Sequence, residues 1–402
     1  MTQTSVYLHI PFCHRRCAYC DFNTYAGLEN LIPDYVRALC REIEFLGEAA
    51  EERLPVHTAY FGGGTPSLLS IADLERILLT LRAKFDLQPG LELTLEANPG
   101  TVTLAYLRDL RALGFNRLSL GMQSANPEEL RLLERQHDFH AVVEAVRWAR
   151  RAGLENLNLD LIFGLPDQSL ESWKRSLRLA VNLQPEHFSL YALTLEAGTQ
   201  LQRWAARGLI NEPDADAAAD MYEYAAGKLA EAGYLQYEIS NWARGEIEHT
   251  SGICQPRFAC RHNLQYWRNL PYLGIGAGAH GYAGGMRIAN ILSPQAYIQR
   301  MIADAAPILC FPRTPAAAHA TAIDRQAEIA ETMMMGLRLT QEDISRRTFF
   351  ARFSLRLEEY FGKEIGGLMR KGLLEWAGEG GEVLRLTPRG RLLGNQVFVE
   401  FV

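Results

Sequence analysis

Cys13, Cys17 and Cys20 fall within eight residues, in the stretch Pro11-Phe12-Cys13-His14-Arg15-Arg16-Cys17-Ala18-Tyr19-Cys20-Asp21-Phe22, at the spacing C-x3-C-x2-C. Three thiolates can hold a metal but do not complete a structural zinc site, which takes four protein ligands. A cubane [4Fe-4S] cluster carried by three thiolates keeps one iron open to a small molecule. Two plainer readings of the same stretch are a zinc site whose fourth ligand lies far along the chain, and three ordinary thiols.

A second stretch, Gly62-Gly63-Gly64-Thr65-Pro66, is either a plain tight turn or a place where backbone groups approach a ligand that side chains would block. Both stretches need elements to position them. Residues 5–192 alternate short apolar runs with longer amphipathic ones, the pattern of consecutive β-α units. Six strands are expected, at Val6–Ile10, Val56–Phe61, Leu91–Leu95, Arg117–Leu120, Asn156–Phe163 and His187–Ala192. Their carboxyl ends run into the cysteine loop, the glycine turn, Glu96–Gly100, Gly121–Ser124 and Gly164–Pro166. In β/α barrels that rim is where active sites are built. Six units are fewer than the eight of a closed barrel, so the pattern predicts an α/β fold with an open, partial (β/α)6 barrel. Its lateral gap would admit a large substrate.

Past the barrel, the sequence predicts a helix over 215–232, one added strand over 234–242 and an irregular segment over 243–261 that contains Cys254 and Cys260. His262-Asn263-Leu264-Gln265-Tyr266-Trp267 and a glycine-rich run over 273–280 follow. The division expected is a barrel over 1–235, a connecting segment over 236–302, a linker over 303–325 and a C-terminal α+β domain over 326–402 that resembles a winged helix. Residues 341–402 hold ten Lys/Arg against nine Asp/Glu, too small a surplus for a phosphate-binding face, so no nucleic-acid partner is expected.

Composition agrees with an ordinary globular chain: of 402 residues 48% are hydrophobic and 22% charged, and the formal charge is -6. No apolar run reaches the length of a spanning helix, and residues 1–10 lack the basic start and apolar stretch of a signal peptide. Seven cysteines, an odd number with three clustered, suit a reducing cytoplasm better than a disulfide framework.

The pair formed by C-x3-C-x2-C after the first strand and Gly-Gly-Gly-Thr-Pro after the second resembles the radical S-adenosylmethionine (SAM) superfamily. Within it the chain is similar to the branch of the oxygen-independent coproporphyrinogen dehydrogenases and their relatives, the HemW-type haem chaperones. The resemblance runs from Tyr7 to the final residues. It implies that Cys13, Cys17 and Cys20 hold a [4Fe-4S] cluster whose free iron binds the amino and carboxylate groups of SAM. It also implies that Tyr7, Gly63, Gly64, Thr65, Glu96, Gln123, Arg135 and Asp160 contact SAM, with Arg135 on its carboxylate and Asp160 on ribose hydroxyls.

One departure separates the two branches. The dehydrogenases extend the motif to C-x3-C-x2-C-x-C and carry a longer amino-terminal segment, whereas Phe22 stands two residues after Cys20 here and Cys13 lies close to the start. The resemblance to the chaperones extends to the HNxxYW motif at 262–267, which implies haem as cargo with His262 as axial ligand; Cys260 is a rival ligand. A structural reading of the same motif, with its aromatic rings packed in the interior, stays open. His280 is expected to serve the fold, Met333–Met335 the core, and Cys40 and Cys310 are expected to be structural thiols. The expected function is therefore delivery of haem to acceptor proteins. The alternative is oxidative decarboxylation of coproporphyrinogen III, and an electron donor is implied if SAM is cleaved. Contact with a membrane surface and homodimerisation stay open.

Overall fold

A computed structural model describes residues 3–250, 253–303, 310–342 and 344–402, which form two compact units: 1–225 with 271–322, and 226–270 with 323–402. The first unit contains all six expected strands: β1 (Thr4–Ile10), β2 (Pro55–Gly63), β3 (Asp86–Ala97), β4 (Arg117–Gln123), β5 (Asn156–Phe163) and β6 (His187–Ala192). They lie side by side in chain order and every neighbouring pair is parallel. Parallel neighbours need a crossover, and the principal crossovers are α1 (Ile32–Ala49), α2 (Ile71–Lys84), α3 (Leu104–Leu113), α4 (Phe139–Arg151) and α5 (Leu170–Asn182).

Local chemistry starts and stops these helices. Ser70 and Asp73 form a reciprocal capping box on α2, and Thr103, Asp138 and Ser169 each accept a backbone N–H in the first turn of α3, α4 and α5. Gly114, left-handed at φ 107, ends α3. The helices bury one face against the sheet, as with Tyr35, Leu39, Ile43 and Leu46 on α1.

The sheet does not stop at β1, which the sequence pattern leads one to expect. The glycine-rich run supplies β7 (Tyr272–Ile275), paired in parallel with β1 from Ser5–Tyr272 to Leu8–Ile275. Antiparallel strands β8 (His280–Ala283), β9 (Met286–Asn290) and β10 (Ala317–Ala322) extend it further. Part of the stretch expected to be a linker is thus a strand; residues 304–309 of it lie outside the described residues. The glycines of this run meet backbone or side chains where a Cβ would stand: His280 O at 1.8 Å for Gly274 and Asn23 Nδ2 at 2.3 Å for Gly278. Glu42 on α1 locks the extension in place, its buried carboxylate accepting from Gly276 N–H (2.8 Å), Tyr297 Oη (2.7 Å), Thr314 Oγ1 (2.8 Å) and Asn290 Nδ2 (2.9 Å).

In the second unit the single strand expected over 234–242 is a hairpin of Leu235–Glu238 and Asn241–Ala243. Its turn is closed by the Glu238 carboxylate, which accepts from Ser240 N–H (3.0 Å) and from the Asn241 side chain. The segment expected to be irregular contains a two-stranded antiparallel ribbon, Ile247–Thr250 with Ile253–Pro256; residues 251 and 252 and the Cys254 side chain lie outside the described residues. Helices Arg325–Gly336, Arg346–Phe353 and Leu357–Arg370 and a three-stranded antiparallel sheet of Ile344–Ser345, Val383–Leu386 and Leu374–Ala377 give the α+β domain its winged-helix pattern. Met333 is fully buried in its core with Phe349, Phe353 and Phe361. Cys40 is buried and Cys310 exposed. Among the described residues no helix is long and apolar enough to cross a membrane.

Candidate functional site

The loop after β1 holds the three thiols by its backbone. Ala18 N–H donates to Leu133 O (3.2 Å) and Ala18 O accepts from Leu201 N–H (2.9 Å), so the loop is pinned from both sides between Cys17 and Cys20. Its far end is tied down by Asn23, whose Nδ2 donates to Ala277 O and Leu292 O, each at 3.0 Å. Polar groups reach all three sulfurs: Thr65 Oγ1 on Cys13 (3.6 Å), Arg135 Nη1 on Cys17 (3.5 Å), and Thr24 Oγ1 (3.7 Å) with the Phe22 backbone by Cys20. Burial pushes the Cys13 thiol up to about 11 and raises that of Cys20. Among the described residues no three His, Cys, Asp or Glu side chains converge where a single ion would bind; in a cubane each thiolate ligates a different iron.

The glycine turn presses on the base of this loop. Gly64 N–H donates to Ile10 O and Thr65 N–H to Phe12 O, both at 2.8 Å, and a Cβ on Gly64 would stand 2.6 Å from Phe12 O. Gly63, at φ 111, would meet the His9 ring at 2.5 Å. These glycines are demanded by close backbone approach within the protein, before any ligand is considered.

The expected SAM contacts fall into three linked groups. Tyr7 stacks on Tyr60, with ring centroids 6.2 Å apart, and its hydroxyl meets His9 Nδ1 at 3.0 Å. Tyr60 Oη donates to Glu96 Oε1 (2.8 Å) and Gly63 N–H to Glu96 Oε2 (3.1 Å). Burial, reinforced by the charge of Asp160, moves the Glu96 carboxyl up to about 7. The second group is Thr65, Arg135 and Asn98. Arg135 Nη2 donates to Gly121 O (2.7 Å) and to Asn98 Oδ1, and Asn98 Nδ2 donates to Thr65 Oγ1 (3.2 Å). Gln123, nearly buried and at φ 63, closes this side: a Cβ on Gly121 would meet Gln123 Nε2 at 2.8 Å and Arg135 Nη2 at 3.0 Å. In the third group Asp160 accepts from Ser119 Oγ and Asn158 Nδ2, each at 2.8 Å, and burial raises its carboxyl.

Sequence reasoning missed Asn98, Tyr60 and His137. Asn98 had a signal, since it stands on the loop after β3, but a lone asparagine before Pro99 reads as a turn former. His137 is held by Met122 O (3.1 Å), and burial beside Arg135 lowers it to about 4, so it is neutral at physiological pH.

His262 belongs to the second unit. It sits in the helix Arg261–Trp267, 1% exposed, with Nε2 2.8 Å from Tyr266 Oη and the two rings edge to face at 4.9 Å. Cys260, the rival ligand, is equally buried, and its N–H donates to Tyr237 Oη (3.2 Å). Trp267 carries the Arg338 guanidinium over its ring at 4.5 Å, and Arg268 pairs with Glu342. His280 is exposed.

A model of the radical SAM superfamily matches residues 7–180, and a model of the HemN C-terminal domain matches residues 323–393. A Mycobacterium tuberculosis protein named heme chaperone HemW is 38% identical over 98% of this chain and 93% of its own length. A Bacillus subtilis protein of the same name is 36% identical over 99% of both chains. Among solved structures, coproporphyrinogen III oxidase (HemN) from Escherichia coli, described as a radical SAM enzyme, superposes with a TM-score of 0.80 at 25% identity over 100% of this chain and 90% of that one. Barrel, cysteine loop and C-terminal domain together define a radical SAM protein with a HemN-type C-terminal domain. Within that class the chain belongs to the HemW family.

Superfamily membership implies a [4Fe-4S] cluster and SAM. The residues present fit that pair. A cavity of about 200 Å³ opens beside Cys17, lined among others by Thr65, Asn98 and Arg135. Arg135 Nε is buried there with no hydrogen-bond partner. A buried guanidinium donor without an acceptor is the group that an amino-acid carboxylate would satisfy.

Proposed function

We propose that this protein is a haem chaperone: it binds haem and hands it to acceptor proteins, on a scaffold that carries a [4Fe-4S] cluster and SAM. The observation that carries the reading is the end-to-end similarity to proteins named heme chaperone HemW, 36–38% identical over 98–99% of this chain. Phe22 supports it. Where the similar dehydrogenases have a fourth thiol, this side chain is 61% exposed and supplies no ligand.

Cys13, Cys17 and Cys20 would ligate the cluster, and Tyr7, Gly63, Gly64, Thr65, Glu96, Gln123, Arg135 and Asp160 would hold SAM. When bound, such a cluster supplies an electron-accepting and electron-donating centre with one iron open to SAM. The protein's own contribution is positional. The Gly63–Thr65 turn, bonded to Glu96, Ile10 O and Phe12 O, holds the cysteine loop in shape, Arg135 offers Nε to a carboxylate, and Asp160, fixed by Ser119 and Asn158, presents acceptors for hydroxyls. In this reading cluster and SAM control haem transfer and do not turn over a porphyrinogen. His262 would ligate the haem iron through Nε2 once the Tyr266 hydroxyl gives way. Free thiols suit a reducing compartment such as the cytoplasm.

The test is an anaerobic haem titration of the cluster-loaded protein, wild type and His262→Ala. Saturable binding with a ligated haem spectrum in wild type, lost in the variant, is expected. Wild type that binds no haem overturns the chaperone reading. A variant indistinguishable from wild type removes His262 as ligand. The structural likeness to coproporphyrinogen III oxidase supports a second reading, decarboxylation of coproporphyrinogen III. Product formed from SAM, reductant and coproporphyrinogen III above a cluster-free control would establish it.

A further inference from the structure

The side chains that touch the Cys13 and Cys17 sulfurs meet at one residue that no cluster or SAM role accounts for. Thr65 donates its hydroxyl to Cys13 Sγ and Arg135 its Nη1 to Cys17 Sγ. Asn98 lies between them. Its Oδ1 accepts from Arg135 Nη2 and its Nδ2 donates to Thr65 Oγ1 at 3.2 Å. An amide side chain is suited to this bridge because it accepts at one end and donates at the other in one plane. The acceptor end holds the guanidinium and the donor end occupies a Thr65 lone pair, which leaves the Thr65 proton for Cys13. Gly121 completes the arrangement: its carbonyl takes a second bond from Arg135 Nη2, and a Cβ there would displace that group.

We propose that Asn98 is a positioning residue that sets the reduction potential of the cluster by aiming two donors, Thr65 and Arg135, at the sulfurs of two of its three ligands. The inference rests on the reading that Cys13, Cys17 and Cys20 carry a [4Fe-4S] cluster. Its physics is general: hydrogen bonds and positive charge at ligand sulfurs stabilise the more negative, reduced cluster and raise its potential. Loosening both donors shifts the midpoint to more negative values. Thr24, which sits by Cys20 alone, is outside the bridge.

The experiment is a dithionite titration of the reconstituted full-length protein, monitored by electron paramagnetic resonance, with iron and sulfide content measured on each sample. Asn98→Ala is expected to shift the midpoint to more negative values at wild-type iron content. Thr65→Val, which keeps the shape and removes the hydroxyl, is expected to shift it the same way by less, and Thr65→Ser to restore the wild-type value. If Asn98→Ala fails to take up a cluster, the Val and Ser pair at position 65 decides: a shift in Val that Ser reverses supports the bridge, and no shift overturns it. Midpoints unchanged in Asn98→Ala and Thr65→Val, with iron content intact, overturn the assignment while leaving the cluster reading standing. Wild type that takes up no iron and sulfide overturns both.

Discussion

The hydroxyl of Tyr266 meets Nε2 of His262 at 2.8 Å, one helical turn away on the same short helix. The nitrogen that haem iron would take is thus engaged inside the motif that supplies it. A bond of this kind is worth about 1 kcal/mol. Tyr266→Phe is expected to tighten haem binding several-fold and speed its onset, measured by anaerobic absorbance titration and stopped flow. Weaker binding in that variant would mean that the hydroxyl serves the haem and does not compete with it.

Glu96 gives a pH dependence with a definite sign. Its carboxyl titrates at about 7 in the folded chain against an ordinary 4.5, so the native state holds this proton more tightly than the unfolded one. Raising the pH from 4.5 to 7 therefore costs the fold about 2–3 kcal/mol through this group. Glu96→Gln keeps an acceptor for Gly63 N–H and removes the ionisation. Urea unfolding should find the variant's stability flatter across that window and higher than wild type at pH 8. A wild-type profile reproduced in the variant would assign the dependence to another group.

Cluster assembly should be favoured by alkali. Metal takes thiolates, and burial holds Cys13 near 11, so protons leave as iron enters. Reconstitution followed by visible absorbance is expected to run faster at pH 8.5 than at 7. A pH-independent rate would show that proton loss does not limit assembly.

Glu42→Ala should destabilise the first unit by at least about 3 kcal/mol, because it strips the acceptor from four groups, Gly276 N–H, Tyr297, Thr314 and Asn290, in a buried site. Denaturant unfolding measures this. A loss below about 1 kcal/mol would mean that water replaces the carboxylate.

The six barrel strands were legible because alternating apolar and amphipathic runs are a long-range pattern that no single residue can mask. The strand β7 was not. Gly274, Gly276 and Gly278 break up its apolar run, and they are small because β8, Tyr35 and Asn23 pass too close for a side chain. The thiols and the glycine turn announced the site by spacing. Asn98 did not, since its role is a bridge between positions 65 and 135 that only the fold brings together. The i, i+4 spacing of His262 and Tyr266 was in the sequence, but which of their faces is buried depends on the packing around the helix.

Asn23 closes the cysteine loop by bonding to carbonyls 254 and 269 residues downstream. A ribosome working at 5–20 residues per second needs roughly a quarter of a minute to a minute to cover that distance. For that interval the thiols exist and the wall behind them has not been made. Iron delivered within that interval would meet an unfinished pocket, so the topology sets an order: the stretch through Leu292 must be made before the cysteine loop can close.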